Sequence, residues 1–184
     1  MSRPWAESTP ALSPLSPELI FTMYDKAHFD WDRLPPLTSP RRQLGLKGVA
    51  LGLINLPPGK GYTFTHRHRE QEEVYIVLSG SGRLLVDGEM VPLDPGDVVR
   101  VDPESKRALK NDGALPLRII CAGGVPAGYP HNPEARYLID DGVPDYDDVP
   151  PWYAGEEAVS ATNAGLKQRY LRSLRRGEKK KGNE

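Results

Sequence analysis

Cysteine is all but missing from this chain, with Cys121 the single thiol in 184 residues. One thiol excludes an intramolecular disulfide, which agrees with a reducing compartment and a cytoplasmic location. Charge of one sign is missing too. The 24 basic and 25 acidic side chains leave a formal net charge of -1, so no whole-molecule field favours nucleic acid or an anionic membrane. No apolar run approaches the roughly 20 residues of a membrane span. The opening residues MSRPWAESTP lack the basic-then-apolar order of a secretory signal. No internal repeat is present, and the length suits one domain with extensions. A cytoplasmic protein without membrane or nucleic-acid partners is expected.

What is present concentrates in residues 57–80, PPGKGYTFTHRHREQEEVYIVLSG. His66 and His68 stand two apart among aromatic and β-branched residues. Strand side chains alternate in direction, so both imidazoles project from one face. Glu73 follows across a short polar loop, at the head of the alternating run Glu73-Val74-Tyr75-Ile76-Val77. Its carboxylate returns to the same cavity from the next strand, whereas Glu72 has the opposite parity and Glu70 lies in the loop. Two imidazoles and one carboxylate on one face suit a divalent first-row metal with open positions for substrate, oxygen or water. Iron, manganese, nickel and zinc all fit that description. Tyr62 and Phe64 share the parity of the histidines, and Tyr75 and Val77 that of Glu73. By parity all four face the pocket, but Phe64 and Val77 read better as plain core packing, while Tyr62 and Tyr75 are open between core packing and offering a phenol to a substrate.

Around this stretch the chain divides into an N-terminal arm over residues 1–44, a barrel over 45–124, and a C-terminal wrap, helix and basic tail over 125–184. Prolines 4, 10, 14 and 17 keep the first residues from propagating hydrogen-bonded structure. Residues 19–24 read as an edge strand, and Phe29 and Trp31 as anchors of an irregular segment. Short strands are then predicted over 46–56, 61–67, 73–78, 82–86, 98–101, 106–110 and 117–122, separated by turn residues such as Asp87-Gly88 and Pro95-Gly96-Asp97. That spacing is the signature of an all-β sandwich or barrel. Residues 125–153 show no sustained period and are expected to wrap over the barrel, anchored by Tyr137, Leu138, Trp152 and Tyr153. A helix follows from Glu156, with an apolar stripe of Leu166, Tyr170 and Leu174 and an end at Gly177. Its basic residues are expected to pair with the acidic region over 140–157.

The segment resembles the first motif of the cupin family, in which Gly, His-x-His, Glu and Gly recur at fixed spacing. His66, His68, Glu73 and Gly80 match it, with the leading glycine one residue out of register. In the second motif Gly96 and Asn111 match, while Asp102, Glu104 and Arg107 stand in the Pro, Gly and His places. The resemblance implies a cupin double-stranded β-helix, a jelly-roll-like barrel, whose fourth metal ligand is replaced by Arg107. It also implies N-terminal arms that lie against a neighbouring subunit. A homodimer is therefore expected, which light scattering at twice the monomer mass would meet and a strictly monomeric species would refute.

Two functions follow from different classes. The first is a metal-dependent enzyme of the dioxygenase or isomerase type on a small polar or anionic substrate, with Arg107, Tyr62 and Tyr75 as the working side chains. The second is a small-molecule binding cupin without catalysis, with or without metal. A guanidinium has five donors and no acceptor, so Arg107 cannot be a ligand, and once inside the cavity it must have a partner. That partner is either Glu73 or an anionic group of the substrate. The reading taken from the sequence is the substrate, because a Glu73 committed to Arg107 would leave two imidazoles for the metal.

Overall fold

The structure, a computed structural model, describes residues 24–124 and 141–181, with helix side chains described as far as Arg175. The expectations for residues 1–23, Tyr137, Leu138 and the basic tail lie outside the described residues or side chains. Among the described residues ten strands run in chain order as β1 (Leu37–Thr38), β2 (Val49–Leu56), β3 (Thr65–His68), β4 (Glu73–Ser79), β5 (Gly82–Val86), β6 (Glu89–Leu93), β7 (Val98–Val101), β8 (Arg107–Asn111), β9 (Leu117–Gly124) and β10 (Gly142–Asp145). One α-helix, α1 (Glu157–Lys181), follows. No described helix is long and apolar enough to cross a membrane.

The strands form two antiparallel five-stranded sheets, ordered β1-β2-β9-β4-β7 and β10-β3-β8-β5-β6. Alternation explains the packing. In β4 the side chains of Glu73, Tyr75 and Val77 are buried while Val74 and Ile76 are half-buried on the other face. Ile54, Tyr75, Val77 and Ile119 of the first sheet join Leu84, Leu93 and Leu109 of the second in one core cluster. Burying each such side chain contributes roughly 1.5–3 kcal/mol. Asn111, fully buried, holds the β8–β9 turn: its amide donates to the carbonyls of Leu56 at 2.7 Å and Leu115 at 2.9 Å, and its oxygen accepts from Gly113 N.

Several boundaries differ from the sequence reading, each for a local reason. β2 starts at Val49 and not at residue 46, because residues 41–45 form a turn in which Gly45 has a φ of 56°. β3 starts at Thr65, because the backbone bends over residues 63–64 and Gly61 makes only an isolated bridge to Lys110. The helix does not end at Gly177 but continues to Lys181. A single helical glycine costs about 1 kcal/mol relative to alanine, which good helix formers on both sides outweigh.

The C-terminal segment does more than wrap. β10 adds a strand to the second sheet beside the histidines, pairing Gly142 with His68, Pro144 with His66 and Asp145 with Thr65. Asp148 then accepts from Thr65 Oγ1 at 2.8 Å and Lys106 Nζ at 3.0 Å, and Lys106 also reaches Asp145 at 2.9 Å. The hydrogen bond from Lys106 holds the Asp145 carboxyl below the usual range, and Asp145 and Asp148 raise the Lys106 ammonium. Trp152 Nε1 donates to Tyr62 O at 3.0 Å and Gly61 N donates to the Tyr153 hydroxyl at 3.2 Å, so both expected anchors hold. α1 docks through buried Asn163, whose amide donates to Thr63 O at 2.7 Å, and Lys167 pairs with Asp147.

Gly80, between β4 and β5, tests the tightness of this packing. Its φ is 79°, and an added Cβ would lie 2.8 Å from Leu117 Cα and closer still to the Pro116 carbonyl oxygen. Gly80→Ala is expected to lose roughly 1–3 kcal/mol of unfolding free energy in urea titration. A midpoint equal to wild type would show that the turn has room to relax.

Candidate metal centre

The histidines on β3 and Glu73 on β4 meet from opposite sheets at one end of the interior. One ligand atom from each of His66, His68 and Glu73 lies within 4.8 Å of the others. His68 Nε2 stands 3.3 Å from Glu73 Oε1, and His66 Nε2 stands 3.9 Å from Oε2. His68 is 1% exposed at its side chain and His66 20%, so any approach to the centre is from the His66 side. The rival carboxylate Glu72 is exposed and pairs with Arg100 at 3.0 Å; Glu70 is exposed in the loop.

His68 and Glu73 each have partners that fix them. His68 Nδ1 lies 2.7 Å from Asp141 Oδ1, and a carboxylate only accepts, so Nδ1 carries the proton and Nε2 presents its lone pair toward Glu73. Asp141 Oδ2 accepts from the backbone amides of Arg69, Glu70 and Gln71. Burial raises the Asp141 carboxyl, but the Glu70 amide and His68 outweigh it and hold the group below its ordinary value. Burial likewise raises Glu73, and its interactions with His66 and His68 overcome it, leaving the carboxyl well below the usual range.

Arg107 corrects the sequence reading. It sits opposite His66 in the β3–β8 ladder and is 0% exposed. Nε and Nη2 donate to Glu73 Oε2 at 3.2 and 3.0 Å, and Nη1 donates to the carbonyls of Pro103 at 2.9 Å and Ser105 at 2.7 Å, with Asp102 O at 3.5 Å. The guanidinium is committed to Glu73 and to the 102–105 turn, not held for a substrate anion. The feared loss of Glu73 as a ligand does not follow, because all of this engages Oε2. Tyr75, 2% exposed, donates to the same oxygen at 2.6 Å. Oε1 remains directed at His68.

The remaining wall residues separate. Tyr62 is half-buried against the core, its ring 6.4 Å from that of His66. Burial raises the phenols of both Tyr62 and Tyr75, with Cys121 and Glu73 adding for Tyr62 and Glu73 adding for Tyr75, so both stay protonated at neutral pH. Val77 belongs to the core, as does Cys121, whose thiol burial pushes up. Phe64 does not line the pocket. Its ring lies 4.5 Å from Tyr146, which is 6.0 Å from Tyr170 of α1, because the bend before β3 breaks the parity. Asp141 and buried Gln71 are the residues that sequence reasoning missed. An Asp-Asp-Gly run was the only signal for the first, and it reads as a turn.

The donor set fits a divalent metal. A deprotonated imidazole nitrogen and a carboxylate oxygen face one another at 3.3 Å in a buried site, which requires a cation or a proton between them. The formal charges of two neutral imidazoles, Glu73 and Arg107 sum to zero, and Asp141 behind His68 adds one negative charge, so one charge of a bound dication would be left to other groups.

Breaking a buried ion pair by removing one partner costs about 3–5 kcal/mol. Arg107→Ala is expected to lose that much in urea unfolding, since Glu73 and the carbonyls of Pro103 and Ser105 lose their donors together. A loss below about 1 kcal/mol would mean that water or a rearranged turn replaces them.

Comparison with known proteins agrees with this construction. Residues 52–123 match the Cupin domain family. The chain is 30% identical over 113 residues to an uncharacterized protein of Methanocaldococcus jannaschii, covering 59% of this chain and 89% of that one. It is 35% identical over 80 residues to a glucose-6-phosphate isomerase of Pyrococcus horikoshii, covering 39% of this chain and 42% of the relative, less than half of that protein's length. A crystal structure of a cupin protein from Bacteroides fragilis superposes with a TM-score of 0.51 at 31% identity, covering 58% of this chain and 86% of that one. With the two-sheet fold and the His-His-Glu cluster in place, the chain belongs to the cupin family.

Proposed function

We propose that this cupin is a metal-dependent enzyme of the dioxygenase type acting on a small anionic substrate. The observation that carries the reading is the donor set, two imidazoles and one carboxylate oxygen, beside side chains whose protons are already committed. A first-row metal on such a set supplies Lewis acidity and redox chemistry at the positions the protein leaves open.

The chain's own residues do the positioning. Arg107 and Tyr75 saturate Glu73 Oε2, so the carboxylate offers one oxygen in one direction. Asp141 fixes the tautomer of His68. Tyr62 stands beside the more open histidine and gives the approach an aromatic wall with a phenol that keeps its proton. Because Arg107 is paired with Glu73 and buried, a metal held by His66, His68 and Glu73 would be the group that meets a substrate's negative charge. A 1,2-proton transfer would need a base near the substrate. Glu73 is held ionised and hydrogen-bonded and the two tyrosines are held protonated, which favours chemistry supplied by the metal over proton shuttling.

The second reading, an isomerase, is favoured by the 35% identity to the glucose-6-phosphate isomerase. Oxygen consumption separates the two. Protein loaded with ferrous iron, offered a panel of small hydroxy and oxo acids in an oxygen electrode, is expected to consume oxygen in step with substrate, and His66→Ala to abolish it. Oxygen-independent interconversion of a sugar phosphate would replace this reading by the isomerase. Heat of ligand binding with no turnover of either kind would make the protein a binding module.

A further inference from the structure

We infer that Asp141 is a positioning residue of the metal centre, and that through it metal binding and docking of the C-terminal strap β10 stabilise one another. The inference rests on the metal reading above and adds a part of the chain that lies outside both cupin motifs, 73 residues beyond His68.

The geometry is specific. Asp141 is 13% exposed at its side chain and accepts from four donors, close to the full acceptor capacity of a carboxylate. One oxygen takes the His68 Nδ1 proton at 2.7 Å. The other takes the amides of Arg69 at 3.1 Å, Glu70 at 2.6 Å and Gln71 at 3.1 Å. Those are three of the four residues that connect His68 to Glu73. A single carboxylate therefore sets the orientation of one ligand and the span between two. The next residue, Gly142, begins β10 opposite His68, and the strand runs along the whole His-x-His segment to Asp145 opposite Thr65.

Partners on the far side of a metal-binding imidazole fix its tautomer and rotation, and their loss typically weakens metal affinity by about 10–100-fold. Here the partner is carried on a strap that also docks by other contacts, through Asp148 to Thr65 and Lys106. Linkage is reciprocal for binding free energies. If the docked strap favours the metal, the metal favours the docked strap by the same factor.

The test is calorimetric titration of Zn²⁺ into the full-length protein, with hydrogen exchange of the amides of residues 69–71, 142, 143 and 145 read in parallel. Asp141→Asn and Asp141→Ala are expected to weaken Zn²⁺ binding about 10–100-fold, with urea unfolding confirming that each variant is folded. Asp148→Asn loosens the strap without touching His68, so it is expected to weaken Zn²⁺ binding by less than the roughly 10–100-fold of the Asp141 variants and to add no further loss when combined with Asp141→Ala. Zn²⁺ should slow exchange over both segments in wild type, and this added protection should be absent in Asp141→Ala. Unchanged affinity in both Asp141 variants would overturn the inference while leaving the metal site standing. A loss from Asp148→Asn that persists undiminished in the Asp141→Ala background would also overturn it, since the strap would then act on the metal by a route other than this carboxylate. Wild-type protein that binds no Zn²⁺ would sink the metal reading itself, and the inference with it.

Discussion

Glu73 joins the two sheets where their interior is most polar. It stands on β4 of one sheet, and every charged or ligating group around it except Tyr75 comes from the other: His66 and His68 on β3 and Arg107 on β8. A buried carboxylate without partners is among the most expensive groups a fold can hold. This one is compensated by a guanidinium and a phenol on one oxygen and an imidazole facing the other. The sandwich closes at this end because the polar groups satisfy one another across it. Below them Ile54, Val77, Leu84 and Leu109 close it by apolar packing.

The second layer of organisation is the C-terminal segment. Trp152 and Tyr153 hold the backbone at Tyr62 and Gly61, Asn163 holds Thr63, and Asp148 holds Thr65. These contacts fall on successive residues of the approach to β3, a stretch that bends before it becomes a strand. The histidines are thus aimed by a short strand whose entry is pinned from outside. An added Cβ at Gly61 would lie 2.8 Å from Trp152 Nε1, which is why a glycine stands at that crossing.

Much of this was legible in the sequence, and the reason is periodicity. Alternation placed His66 and His68 together and put Glu73, not Glu72, in the interior, because β3 and β4 are regular over those residues. The same rule failed for Phe64, two residues earlier, where the strand has not yet begun. Arg107 was located by motif register, yet its partner was misassigned. Sequence shows that a buried guanidinium needs acceptors but not which ones lie within reach, and the three carbonyls of the 102–105 turn carry no side-chain signal. β10 was read as loop because Gly142, Pro144 and Asp145 are poor strand formers. It pairs as an edge strand, where a proline does least harm.

The five donations of Arg107 also bear on how this site can change over evolutionary time. An imidazole at position 107 supplies at most two N–H groups. It would bring back a ligand type but leave the 102–105 turn without its ties and Glu73 Oε2 with the Tyr75 hydroxyl as its remaining close donor. A single codon change at 107 therefore does not lead back to a four-ligand centre. The turn would have to be rebuilt as well, because Arg107 ties it down through backbone contacts that have no part in holding a metal.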